Sequence, residues 1–253
     1  MKAVFIDIDG TLATELDVPA SAAEGIRKLR QSGALVFICT GRSMYYVRRY
    51  FGQYADGFIC NNGRLAVMGE EVLYDHPIER ERIDELTAIA ESCGNAVIWY
   101  GRDEGWFYGS DEEYEQLRND EQVELINRHL SEDMKAYCFN MYFHQRQTLY
   151  ETEKALEGKC VINPHGPLPH ADVTVLGHDK GSALKTVRKA LKIRKKDTFA
   201  FGDGVNDLSM FAAAGYGVAM GNGSPRLKEK ADFITTGIDD DGLLNGLIHC
   251  KLI

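Results

Sequence analysis

Two rhythms of hydrophobic and polar positions divide this chain. Over the first eighty residues, short and nearly continuous apolar runs alternate with stretches where apolar residues recur every three or four positions. The runs Lys2–Ile8, Leu35–Cys39 and Gly57–Cys60 predict strands buried on both faces, since a strand wet on one side would alternate instead. Between them, Ser21–Gln31 predicts a helix with Ala22, Ile26 and Leu29 on one side and Gly33 as its stop, and Ser43–Phe51 a second helix. Leu65–Met68 and Val72–Tyr74, joined by Gly69-Glu70-Glu71, predict a hairpin. This alternation is that of a parallel sheet flanked by helices.

The rhythm changes near residue 80. A helix over Ile83–Glu91 is followed by strands Ala96–Tyr100 and Trp106–Tyr108 around a turn at Arg102–Gly105. A polar, acidic stretch from Asp111 to Asp120 comes next, then an alternating strand Tyr137–Phe143, a helix about Thr148–Leu156 and a strand about Cys160–Asn163. His165 and His170, among Pro164, Pro167 and Pro169, read as a connecting loop. From Lys180 the first rhythm resumes, with strands at Thr198–Phe201, Gly217–Met220 and Phe233–Thr235. Helices fall at Gly181–Leu191, Asp207–Ala214, Pro225–Lys230 and after Asp241. The expected fold is α/β: a Rossmann-like, doubly wound parallel sheet from residues 1–79 and 177–253, with an α+β domain, 80–176, inserted into it.

Composition narrows the partners. With 44% hydrophobic and 26% charged residues the chain has a soluble globular profile, and no apolar run approaches the roughly 20 residues that span a bilayer. The first residues lack the zones of a signal peptide, so a cytoplasmic address is expected. A net charge of −9 argues against nucleic acid, whose phosphates need a concentrated basic face. None of the six cysteines forms a C-x-x-C pair and several sit in apolar runs, which predicts reduced thiols.

Candidate chemistry gathers where predicted strands end. Asp7 and Asp9 close the first strand; two carboxylates there either share a cation or raise one pKa, although an acidic turn would read the same. Thr40-Gly41-Arg42 follows the second strand, where a hydroxyl and backbone N–H groups can form an anion-binding corner, or simply begin a loop. Lys180 opens a helix, where a cation costs some tenths of a kcal/mol unless it meets an anion. After the strand Thr198–Phe201, Asp203, Asn206 and Asp207 supply the hard oxygen ligands that Mg²⁺ prefers.

Taken in order, Asp7-Ile8-Asp9-Gly10-Thr11, Thr40-Gly41-Arg42, the lysine of His178-Asp179-Lys180-Gly181 and Gly202-Asp203-Gly204-Val205-Asn206-Asp207 make the chain resemble the haloacid dehalogenase (HAD) superfamily of phosphohydrolases. Its Gly217-Val218-Ala219-Met220-Gly221-Asn222 and Ala231-Asp232-Phe233-Ile234-Thr235 are similar to those of the Cof-type subgroup, and the insertion is similar in length and position to a C2 cap. The resemblance implies a magnesium-dependent phosphatase that acts on a small-molecule phosphate ester. It makes Asp7 the nucleophile and Asp9 the general acid and base. Mg²⁺ would fall to Asp7, Asp203 and the Asp9 carbonyl, and Thr40 with its neighbours Gly41 and Arg42 would hold the phosphoryl group. Lys180 would neutralise its charge, Asn206 and Asp207 would orient the lysine and metal shell, and Asn62 would lie beside the substrate. Asn62-Gly63, after the third strand, is similar to an Asn-Gly the family often has beside its substrate, and here reads Asn61-Asn62-Gly63-Arg64. An aspartate at position 9 favours ester cleavage over dehalogenation, because an alkoxide needs a proton and a halide does not.

Within the insertion, Trp99, Tyr100, Arg102, Trp106, Tyr142 and His144 are candidates to select the leaving group, or else parts of that domain's core and surface. A sugar phosphomutase and a non-catalytic phosphometabolite-binding protein are the competing functions. Monomer and homodimer both stay open.

Overall fold

The computed structural model describes residues 1–118, 126–143, 145–164 and 170–253. They form two compact units: Met1–Arg42, Tyr46–Asp75 and His178–Ile253 in one, Ser43–Tyr45 and His76–Gly177 in the other. The chain begins β1 (Ala3–Ile6), α1 (Ala20–Gln31), β2 (Leu35–Cys39), α2 (Met44–Phe51), β3 (Gly57–Cys60), β4 (Leu65–Met68) and β5 (Glu71–Asp75). The inserted stretch supplies α3 (Arg80–Ser92), β6 (Ala96–Tyr100), β7 (Gly105–Tyr108), α4 (Asp111–Arg118), β8 (Ile126–Asn127), β9 (Cys138–Tyr142), α5 (Arg146–Ala155), β10 (Cys160–Pro164) and β11 (His170–Val175). The chain ends with α6 (Lys180–Ala190), β12 (Thr198–Gly202), α7 (Leu208–Ala213), β13 (Tyr216–Ala219), α8 (Pro225–Lys228), β14 (Phe233–Ile234) and α9 (Gly242–His249).

The first unit carries an eight-stranded sheet in the order β14-β13-β12-β1-β2-β3-β4-β5. It is parallel from β14 to β3, and the β4–β5 hairpin adds two antiparallel strands. Every side chain of β1 is buried because both faces are covered. Phe5 stacks on Phe37 with ring centroids 5.2 Å apart, in a layer with Ala183, Leu184 and Val187 of α6 and Met210 of α7. α1 and α9 pack together, with Leu29 and Leu247 fully buried. The strand expected over Lys2–Ile8 ends at Ile6, so Asp7 and Asp9 lie in the loop beyond it rather than on one strand face. Asp207 likewise precedes α7 instead of belonging to it.

The inserted unit is a six-stranded sheet, β10-β11-β9-β6-β7-β8, antiparallel except for β7 beside β8. One face buries Val97, Trp99, Phe139, Met141 and Val173 with Ile83 and Leu86 of α3. Trp99 is fully buried, and its indole N–H donates to Thr87 Oγ1 at 2.9 Å. Trp99 and Trp106 are thus core residues, which corrects their candidacy as leaving-group contacts. Arg102 pairs with Asp103 at 3.2 Å, and His144 and His165 lie outside the described residues.

Two further corrections concern local structure. The acidic stretch from Asp111 is a helix, α4, opened by a reciprocal cap: Ser110 Oγ accepts from the Glu113 N–H (3.3 Å), and the Glu113 carboxylate accepts from the Ser110 N–H (2.7 Å). His170 is not loop but the first residue of β11, paired with Tyr142. Among the described residues, no helix is long and apolar enough to cross a membrane.

Candidate active site

β1, β2 and β12 lie side by side at the centre of the large sheet, and the connections leaving β1 and β12 run to opposite sides. In open α/β sheets the crevice at such a switch point, beyond the carboxyl ends, is where ligands bind. Asp7 leaves β1 there, Thr40 leaves β2, and Asp203 leaves β12.

The Asp7 N–H still donates to Phe201 O (3.0 Å), which holds it against β12. The loop then closes on itself, with the Leu12 and Ala13 N–H groups donating to Ile8 O. Gly10 sits at φ +76°, and any Cβ there would run into the Asp203 carboxylate. Thr11 Oγ1 donates to Asp203 Oδ1 at 3.1 Å, so the β1 and β12 loops are joined.

Lys180 is the first residue of α6, whose N-cap is Asp179, its carboxylate accepting from the Ser182 N–H at 2.8 Å. The lysine is not surface: it is buried, with Nζ 2.9 Å from Asp7 Oδ1 and 2.7 Å from Asp207 Oδ1. Two carboxylates thereby offset both its burial and its place at a helix N-terminus. Burial works against the Lys180 charge, but Asp207 and Asp7 outweigh it and push its pKa up, so it stays an ammonium. Asp207 is fully engaged, its Oδ2 accepting from the N–H groups of Asp203 and Gly204 at 3.0 Å each. It braces the lysine against the β12 loop. Asn206, expected to share that task, is exposed, and Lys180 is held by Asp207 and Asp7 instead.

Charge in this pocket is unbalanced. Asp7, Asp203 and Asp207 each place one carboxylate oxygen within 4.8 Å of the others, against the single ammonium of Lys180. Burial, then Asp207, raises the Asp203 carboxyl to about 6, and the same two causes push Asp7 well up against the pull of Lys180. A divalent cation would relieve both. The donor set fits Mg²⁺: hard oxygens only, with Asp7 and Asp203 the carboxylates whose oxygens are less committed than those of Asp207.

On the other flank, the Thr40 N–H donates to Ile59 O (2.8 Å), and Thr40 Oγ1 accepts from the Arg42 N–H (3.1 Å). Asn61, Asn62 and Gly63 follow β3 in left-handed conformations, at φ +53°, +49° and +94°. Their turn ties the loops together: the Asn61 N–H donates to Arg42 O and the Asn62 N–H to Thr40 O. A Cβ on Gly63 would collide with the Asp179 carbonyl, so glycine lets this turn press on the start of α6, and Gly41 leaves room for the Asn62 amide. The Arg42 side chain turns to Asp9: Nε donates to Oδ2 at 3.1 Å and Nη2 to Oδ1 at 2.9 Å, while the guanidinium lies 4.8 Å from the Tyr46 ring centre.

At the switch point of this sheet, a buried carboxylate is held to a lysine beside further acidic groups. The family model for haloacid dehalogenase-like hydrolases matches residues 4–247. The chain belongs to the haloacid dehalogenase-like hydrolases. The hydrolase is 30% identical to YkrA of Bacillus subtilis over 261 residues, covering 96% of this chain and 95% of that one. It is 29% identical to the phosphoglycolate phosphatase of Archaeoglobus fulgidus over 260 residues, covering 100% and 98%. The solved structure of the HAD subclass IIB sugar phosphatase BT4131 superposes with a TM-score of 0.76 at 28% identity, covering all of both chains.

The structure brings together Asp7, Asp203, Lys180 and Asp207 as one cluster and Asp9 with Arg42 as a second. Two contributors escaped the sequence reading: Thr11 on Asp203, and Asn222, whose amide holds Gly10 O at 2.8 Å. Thr11 was within reach, being part of the first motif. Nothing in sequence pairs Asn222 with a residue 212 positions away.

Proposed function

We propose that this hydrolase, a phosphatase of its family, cleaves small phosphate monoesters, sugar phosphates foremost, with Mg²⁺ and through a phosphoryl group carried on Asp7. The observation that supports it most is the buried Asp7 carboxylate, 2.9 Å from Lys180 Nζ and grouped with Asp203 and Asp207. Full-length similarity to a sugar phosphatase points to the substrate class.

In this reading the Asp7 carboxylate attacks phosphorus and the bond to the ester oxygen breaks. Asp9 gives its proton to the departing alkoxide. Asp9 then takes a proton from water, whose oxygen attacks the phosphoryl group, so inorganic phosphate leaves and the Asp7 carboxylate returns. Lys180 is charged throughout and meets the negative charge that builds on the phosphoryl oxygens, while Asp207 keeps it aimed. Thr40 and the N–H groups around it hold the phosphoryl group on the side away from Asp203. Mg²⁺, held by Asp7, Asp203 and the Asp9 carbonyl, would neutralise the phosphate charge that otherwise repels the nucleophile. The six free cysteines suit the reducing cytoplasm.

The test is inorganic phosphate release from sugar phosphates, nucleotides, pyridoxal phosphate and an aryl phosphate, with Mg²⁺ and with EDTA. Metal-dependent release that Asp7→Asn abolishes is the expected result. Release undiminished in Asp7→Asn would sink the covalent route, and an isomeric sugar phosphate without free phosphate would turn the reading to a mutase.

A further inference from the structure

Arg42 grips Asp9, while Lys180 holds Asp7. We propose that Arg42 is the residue by which this enzyme recognises a second oxyanion, carboxylate or phosphate, on the leaving group of its substrate; this rests on the phosphatase reading and on Asp9 facing the leaving group. The backbone that carries Arg42 is fixed from both sides, its N–H on Thr40 Oγ1 and its carbonyl accepting from the Asn61 N–H. Its guanidinium packs over Tyr46 and offers the Nε–Nη2 edge to both oxygens of Asp9. That two-point match to a planar pair of oxygens is specific to arginine and to oxyanions.

Position decides which oxyanion this is for. The charge on the transferring phosphoryl group is met at the Asp7 end, where Lys180 and the acidic cation site lie. Asp9 marks the other end, where the ester oxygen departs. A cation fastened there lies within reach of the leaving group's own substituents. The Arg42 side chain is 26% exposed and that of Asp9 45%, so an entering ester meets the guanidinium from solvent. The Asp9 carboxylate now presents to this fork what a carboxylate next to the ester oxygen would present. A neutral leaving group offers Arg42 nothing that water does not.

The experiment uses matched esters, phosphoglycolate and its neutral isostere phosphoglycolamide, with a sugar bisphosphate and the corresponding monophosphate as a second pair. Affinity is measured by calorimetry in the Asp7→Asn protein with Mg²⁺, with and without Arg42→Met, and kcat/KM in the enzyme with Asp7 intact. The Arg42-bearing proteins should prefer the charged member of at least one pair by about tenfold or more, the pair showing which oxyanion fits. Arg42→Met should weaken both members and erase the preference, and Arg42→Lys should restore only part of it. Equal affinities with Arg42 present, or an equal loss on both members in Arg42→Met, would overturn the proposal and leave Arg42 as a support for Asp9 alone. Absence of phosphate release from every ester would strike the phosphatase reading instead, while the calorimetric preference still judges Arg42.

Discussion

The two units of this hydrolase bury their polar side chains in opposite ways. At the carboxyl ends of β1 and β12 the core unit buries ions, with Lys180 Nζ within 3 Å of both the Asp7 and Asp207 carboxylates. Among the described residues of the inserted unit, the buried polar side chains are neutral: Thr87, Asn95 and Thr152. There Trp99 donates to Thr87, which donates to Ile83 O, and Asn95 donates to Thr152, which donates to Thr148 O. Such chains close on the backbone and need no counterion. Neutral hydrogen bonds hold a sheet to its helices at modest gain, whereas buried ions gain little net stability and are kept for what charge can do. The contrast puts the buried Asp7–Lys180–Asp207 charges in the core unit.

Substitutions can break that comparison. The largest expected effect is on turnover in Asp7→Asn, a fall on the order of 10⁴-fold or more with the melting temperature unchanged or raised. Lys180 keeps Asp207 in that variant, and a buried carboxylate whose pKa is already pushed up is removed. A thermal melt run beside the activity assay checks both halves, and a large drop in stability would show that Asp7 is structural. Asp207→Ala should fail both ways. It removes the brace from Lys180 and from two N–H groups of the β12 loop, costing about 3–5 kcal/mol in a denaturant titration together with most of the activity.

The proposed metal site sharpens the contrast through pH. The Asp203 carboxyl lies at about 6 without metal, above the 3.8 of an unperturbed aspartate. Protons therefore compete with Mg²⁺, and below pH 6 the Mg²⁺ concentration for half-maximal activity should rise about tenfold per pH unit. The metal-free fold behaves in the opposite sense. An acid with a raised folded pKa adds stability when protonated, so the EDTA-treated protein should gain from Asp203 as pH falls from 6 toward 4 and lose that gain above 6. A flat Mg²⁺ requirement from pH 5 to 8 would remove Asp203 from the metal. The smallest effect belongs to the inserted unit: Thr87→Val strands the Trp99 N–H and should cost about 1–3 kcal/mol of stability. Its kcat per folded molecule should stay that of the parent, and a matching loss of kcat would contradict the division of labour.

Much of the fold was legible because its signals are local. Buried runs such as Leu35–Cys39 read as central strands, and the site motifs announced themselves by following such runs directly. The helix at Asp111 was legible as well, through Ser110 and Glu113 three residues apart, but its dense negative charge masked the cap. β8, two residues long, and β11, entered from a proline-rich stretch, exist because neighbouring strands pair with them. Their sequences carry little preference of their own.

The site divides in the same way. Sequence by itself determined the inventory: which carboxylates, hydroxyl and lysine stand at strand ends or helix starts, and therefore the family and its class of chemistry. Tertiary structure decided the partnerships. It sank Lys180 between Asp7 and Asp207, gave Asp207 rather than Asn206 the bracing role, and set the Arg42 fork on Asp9. Hydrophobic period and turn chemistry act over a few residues and are written in the chain. An ion pair between residues 173 positions apart forms only when the start of α6 meets the loop after β1, and burial then fixes its strength.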